Sequence, residues 1–192
     1  MTAVPQPWGH LLTVAEYAEL AETESGYTEL LEGRLLMSPS PVPDHNVAVA
    51  ELLVQLRPQL PAHLEVIPDV DVDLQLAPPD QPGFSRRPDL MIVARAARAR
   101  VRTEGGLIRA GEVLIVVEVV SPGLQRTDYI TKRGEYADAG IPHYWIVDLD
   151  KPVSLVDCHL AEGFGYQDRG SIIDVFTTTE PFPIRLNLDR LL

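Results

Sequence analysis

Apolar positions along this 192-residue chain come in short runs whose spacing switches between the strand and helix periods. From Val113 to Val120 every residue but Glu118 is apolar, and Gly111 and Ser121-Pro122 bound the run. That pattern predicts a central strand buried on both faces. Leu90-Met91-Ile92-Val93, entered through Pro88-Asp89, and Tyr144–Val147 read the same way. Leu64–Ile67 and Val70–Leu76 read as further strands, with Asp71 and Asp73 alternating against Val70, Val72 and Leu74. Tyr27–Leu31 and Arg34–Ser38 flank Glu32-Gly33 as a β-hairpin, and Val153–Cys158, Phe164–Asp168 and Ile172–Phe176 supply hairpin strands near the C-terminus.

The helical period appears in three places. Thr13-Val14-Ala15-Glu16 is a capping box opening a short helix to about Glu22. His45–Leu56 predicts a helix with Asp44 as N-cap, ending near Pro58. On its wheel Val49, Leu52, Leu53, Leu56 and His45 share one side, whereas Glu51 points away. A third helix, Asp128–Ala139, follows the Ser121-Pro122-Gly123 turn and closes at Gly140 and Pro142. Residues 1–12 are expected to be loosely ordered, and 95–112, with several arginines and a Gly-Gly pair, to form a surface excursion. The order implies a mixed α/β sheet in one domain spanning 1–192.

Composition narrows this only slightly. A hydrophobic content of 45% with 23% charged residues is ordinary for a globular protein. No apolar run approaches the ~20 residues of a membrane span. Met1–Pro5 lacks the basic start and long apolar stretch of a secretory signal, and the single cysteine, Cys158, excludes an internal disulfide framework; a cytoplasmic location is expected. The formal net charge of −12 weighs against a wide phosphate-binding footprint, though not against a small metal-bridged phosphodiester site.

Glu118 and Asp89 are the residues whose surroundings demand explanation. A carboxylate inside an apolar strand needs a cation, a donor network or a proton. If both acids face one side of neighbouring strands, they suit a divalent cation such as Mg²⁺, which takes a few carboxylates, waters and phosphate oxygens. The alternative is that Asp89 caps a turn and Glu118 pairs with an arginine. On the third helix Tyr129, Lys132, Tyr136 and Ala139 form one stripe. Lys132 either snorkels past the two tyrosines to solvent or turns its charge toward the carboxylates. His45 faces inward at a helix start, where a phosphate could be held, or is satisfied by backbone groups. No phosphate-loop, dinucleotide or nucleophile-elbow pattern is present. His10, His63, His143 and His159 are too scattered to imply a zinc site.

Taken in order, Pro88-Asp89, Glu118-Val119-Val120-Ser121-Pro122, Lys132, Tyr136 and Tyr144-Trp145-Ile146-Val147-Asp148 carry a resemblance. From about Thr13 onward the chain resembles the bacterial Uma-two family of restriction-endonuclease-like proteins, within the PD-(D/E)XK nuclease superfamily. Tyr27–Gly33 and Ser38-Pro39 through His45 look like that family's N-terminal signature. The resemblance implies a core of helix, three strands, helix and strand, with Asp89 and Glu118 as ligands of Mg²⁺ or Mn²⁺. The superfamily's usual lysine stands two residues after the second acid, where this chain has Val120; the family pattern moves it to Lys132. Glu29 and His45 match further family positions. The implied activity is metal-dependent hydrolysis of nucleic acid, DNA before RNA, with a homodimer suited to cutting two strands. The competing reading is an inactive nuclease-like binding or assembly module. A carboxylate-pair hydrolase acting on glycosides is weaker, since only 6% of residues are aromatic.

Overall fold

The computed structural model describes residues 2–3, 9–20, 27–37, 40–120 and 126–192. Ser38, Pro39, Ser121, Pro122 and Gly123 lie outside the described residues. The elements run β1 (Thr2–Ala3), α1 (Val14–Ala18), β2 (Thr28–Leu31), β3 (Arg34–Met37), α2 (Pro43–Leu56), β4 (Leu64–Pro68), β5 (Val72–Asp73), β6 (Ser85–Arg86) and β7 (Leu90–Ala94). They continue through α3 (Arg95–Glu104), β8 (Ile108–Arg109), β9 (Val113–Val119), a π-helical stretch Thr127–Lys132, α4 (Arg133–Asp138) and β10 (His143–Asp148). The chain ends in β11 (Ser154–Ala161), β12 (Gly165–Gln167), β13 (Ser171–Ile173), β14 (Val175–Thr178) and β15 (Ile184–Asn187).

The main sheet has the order β12-β11-β10-β9-β7-β4, with β13 also on β11. β9 lies at its centre, antiparallel to β7 and parallel to β10. Strand alternation sends Ile92, Ile115, Val117, Trp145 and Val147 to one face, which α2, β15 and the C-terminal turn cover through Ala48, Leu52, Leu56, Leu186 and Leu191. The other face receives Met91, Val116, Val120, Tyr144 and Ile146 and is covered by α3, α4, β5 and β8. Glu118 belongs by the same alternation to this second face, beneath the helix that carries Lys132. The sheet thus decides which helix the buried acid meets.

A second sheet, β1-β3-β2-β6-β5-β8, holds Glu29 and Arg86. Its hairpin turns through Glu32 (φ 50°) and Gly33 (φ 74°), both in the left-handed region that a two-residue loop requires. A ring of backbone hydrogen bonds then ties Leu12, Gly33 and Gly83 together: Leu12 N–H to Gly33 O (2.9 Å), Gly33 N–H to Gly83 O (2.9 Å) and Gly83 N–H to Leu12 O (3.0 Å).

Several expectations need correction. Val42, with no side-chain cap, precedes α2, and Pro43 occupies the first turn; Asp44 lies inside the helix rather than capping it. Residues 95–112 are not an excursion, because α3, β8 and a 3₁₀ turn fill them and Ala97 is buried. Their arginines are tied down, Arg98 on Glu65 (2.7 Å) and Arg100 on Glu112 (2.6 Å). Within 1–12, Thr2–Ala3 pair with Leu36–Met37 and Leu12 is buried. The expected Ile172–Phe176 strand divides at Asp174, whose φ of 62° separates β13 from β14. No helix among the described residues is long and apolar enough to cross a membrane.

Gly33 meets two steric requirements at once, a left-handed φ and a close approach to Leu11 and Leu12. A Cβ there would lie 2.8 Å from Leu11 Cβ and 2.9 Å from the Leu12 backbone, in addition to its strained φ. We expect Gly33→Ala to cost about 2–4 kcal/mol in urea unfolding, from left-handed strain plus overpacking.

Candidate active site

The antiparallel register pairs Leu90 with Val117, so one further step sets Asp89 across from Glu118 at the end where β7 starts and β9 finishes. The two acids differ in setting. Asp89 Oδ2 accepts a hydrogen bond from the Val119 N–H (2.7 Å) and lies 3.2 Å from His45 Nε2, with the side chain 21% exposed. Glu118, 4% exposed, meets the Tyr136 hydroxyl (2.7 Å) and Lys132 Nζ (2.8 Å), both at Oε1. Lys132 does turn inward, but toward Glu118, Asp128 Oδ1 (3.5 Å) and Glu29 Oε1 (3.9 Å); the ion partner of Asp89 is His45. The side position two residues after Glu118 holds Val120, buried in apolar contacts.

Behind this group lies a buried scaffold. Arg86, 1% exposed, binds both oxygens of Glu135 (2.6 and 2.7 Å) and Glu29 Oε2 (2.8 Å), while the Arg87 N–H donates to Glu29 Oε1 (3.1 Å). Glu29 thereby links the second sheet to the lysine. Removing one member of such a buried set strands its partners, at about 3–5 kcal/mol.

Desolvation sets the proton affinities. Burial pushes Glu118 up to about 8; Lys132 acts against this, and Asp89, Asp128 and Glu29 reinforce it. For Lys132, burial is outweighed by Glu118, Glu29 and Asp128, and the ammonium keeps its proton well above the ordinary lysine range. Burial also opposes the charged form of His45, but the hydrogen bond and charge of Asp89 prevail and raise it. Glu29 is held below the usual range, burial being overcome first by Lys132 and then by Arg86.

These side chains line a cleft of about 290 Å³ whose walls include Tyr27, Glu29, His45, Arg87, Asp89, Glu118, Asp128 and Lys132. Five acidic side chains line it (Glu29, Asp69, Asp89, Glu118 and Asp128) alongside His45, Arg87 and Lys132, a surplus of hard oxygen donors. That donor chemistry fits a divalent cation of the Mg²⁺ class. Among the described residues no three acid, histidine or cysteine side chains form a cage by themselves. Mg²⁺ sites that rely on one or two carboxylates, waters and substrate phosphates need no such cage.

A family model described as "Putative restriction endonuclease" matches residues 14–188. The chain belongs to the Uma2 family. Its fold is similar to the crystal structure of "a putative nuclease belonging to DUF820" from Anabaena variabilis ATCC 29413, with a TM-score of 0.69 and 17% identity. The match covers 94% of this chain and 97% of that one. No curated protein matches the sequence.

The Uma2 chain departs from the expected stripe in one respect. The helix opens as a π stretch, and its inward residues are Asp128, Lys132 and Tyr136, whereas Tyr129 is half-buried with its hydroxyl 3.5 Å from Asp148. Asp128, Arg86 and Glu135 were not expected in the site. Asp128 was within reach of sequence reasoning, being four residues before Lys132 on one helix side; nothing distinguishes Arg86 from its neighbours Ser85 and Arg87. Glu51 pairs with Arg190 away from the cleft, as its wheel position implied. His143 and His159, distant in sequence, stand opposite each other across β10 and β11 but join no metal group among the described residues.

The raised Glu118 has a measurable sign. Between its ordinary value of 4.5 and about 8 the folded state holds a proton that the unfolded chain has released. Folding stability contributed by this group therefore falls as pH rises through that window. We expect metal-free wild type to lose stability, relative to Glu118→Gln, between pH 5 and pH 8 on the order of a few kcal/mol in urea titrations.

Proposed function

We propose that this chain is a metal-dependent nuclease hydrolysing phosphodiester bonds, in DNA in preference to RNA. The observation that carries the reading is the acid-rich cleft at the shared end of β7 and β9, with one buried ammonium in contact with Glu118. A phosphate diester would be repelled by that surplus of carboxylates unless a cation offset it.

In this reading Asp89 and Glu118 hold Mg²⁺ or Mn²⁺, which when bound supplies Lewis acidity toward a phosphoryl oxygen and toward water. The Val119 N–H and His45 orient Asp89, and the Tyr136 hydroxyl, itself held protonated by burial, fixes Glu118. Lys132 presents a permanent positive charge to the cleft, placed to orient water or stabilise negative charge growing on the phosphoryl oxygens. Glu29 and Arg86 keep that charge in place from behind. The valine at position 120 does not favour the inactive-module reading, because Lys132 brings an ammonium to the same carboxylate from the helix. Cutting both strands of a duplex would call for two copies of the chain.

The test is cleavage of plasmid DNA with millimolar Mg²⁺ or Mn²⁺. Asp89→Asn, Glu118→Gln and Lys132→Gln should each lower the rate by about 10²-fold or more. The first two should also abolish the calorimetric heat of Mn²⁺ binding. Undiminished cleavage in either acid variant rules out this assignment.

A further inference from the structure

Asp128 has no task in the mechanism above, yet it is 4% exposed and lines the cleft. Among the described residues its carboxylate has one ion partner, Lys132, at 3.5 Å. Its backbone carbonyl accepts the Tyr144 hydroxyl (3.0 Å), which fixes that turn of the helix against the sheet. A buried carboxyl group 3.5 Å from an ammonium that has a nearer partner gains attraction when that ammonium is freed to draw closer.

The local backbone makes such tightening possible. In an α-helix, positions four apart drift by about 40° around the axis. A π turn carries one more residue per hydrogen-bonded ring, which offsets that drift. The π stretch ends at Lys132, and Asp128, Lys132 and Tyr136 all point inward from it and from α4. Lys132 Nζ therefore has Glu118 at 2.8 Å on the strand side and Asp128 at 3.5 Å on its own helix.

Resting on the reading of Glu118 as a cation ligand, we propose that Asp128 is the second seat of the Lys132 ammonium: when a divalent cation takes Glu118, Lys132 transfers its ion pair to Asp128. The physical reason is charge exclusion. The ammonium and the Tyr136 hydroxyl both meet Glu118 at Oε1, and a dication drawn to the same carboxylate repels the ammonium over a short distance and favours its departure. Released into solvent, it would leave the cleft without its buried ammonium; seated on Asp128, it stays within reach of the substrate. Glu29, at 3.9 Å, is already engaged by Arg86 and the Arg87 N–H, which leaves Asp128 as the acceptor with capacity to spare. Asp128 is thus a positioning residue that acts through Lys132.

The experiment is a double-mutant cycle read by Mn²⁺ affinity in calorimetry, on the intact chain, without nucleic acid. Asp128→Asn should weaken Mn²⁺ binding about tenfold while Lys132 is present, since the ammonium then has no alternative to Glu118. In a Lys132→Gln background the same substitution should cost twofold or less, and Asp128→Glu should restore most of the wild-type affinity. Lys132→Gln alone should tighten binding. Because Lys132→Gln strands buried acids and can impair folding, a second readout uses wild type alone: the ¹⁵Nζ resonance of Lys132 should shift on adding Mg²⁺ in wild type and not in Glu118→Gln. Equal losses from Asp128→Asn with and without Lys132 would overturn the proposal, as would an unmoved Lys132 resonance on saturation with Mg²⁺. Absence of any Mn²⁺ heat in wild type would overturn both it and the cation reading, whereas tight wild-type binding without coupling overturns this proposal alone.

Discussion

The placement of one ammonium among three buried carboxylates governs the rest of this molecule. Lys132 is in ion-pair range of Glu118, Asp128 and Glu29, and each of those acids is supplied by a different element: the central strand, the π stretch and the N-terminal hairpin. None of the four groups is tolerable alone at that depth. Their meeting therefore fixes the relative positions of two sheets and a helix, and Arg86 extends the constraint to Glu135 on α4. Architecture and the proposed chemistry share the same atoms here, so a substitution that harms one should harm the other.

Within that constraint the division of labour between the two proposed ligands follows from exposure. Asp89, at the rim, is oriented by a backbone N–H and an imidazole and remains partly in water. Glu118, sealed under Tyr136, carries the desolvation burden. A rim acid can meet an ion still carrying waters, and a sealed acid supplies affinity only after something has been expelled. The arrangement suits an ion that keeps most of its hydration shell.

Much of this was legible in the sequence. The strand around Glu118, the approach to Asp89 and the hairpin at Glu32-Gly33 follow from local periodicity and turn chemistry, and the structure has them where those signals point. Lys132 was legible as an inward residue because its stripe repeats at helical spacing. The partners were not. That Lys132 would contact Glu118 while His45 took Asp89 depends on sheet register and helix tilt, which are set by long-range packing. α3 was hidden because its arginines mimic a solvated loop, although Ala and Arg are both good helix formers; Arg98 pairs with Glu65 on a strand and Arg100 with Glu112 beyond the Gly-Gly turn. The Asp44 cap failed because the helix starts at Pro43, two residues before His45.

Those same paired arginines bear on how the molecule can meet a polyanion. The segment richest in guanidinium groups spends Arg95, Arg98 and Arg100 on internal carboxylates. Few loosely held counter-ions would then be liberated when a charged polymer docks. In the proposed nuclease reading, its hold on such a polymer should accordingly respond only weakly to ionic strength, in the manner of a small, ion-bridged contact rather than a broad basic face.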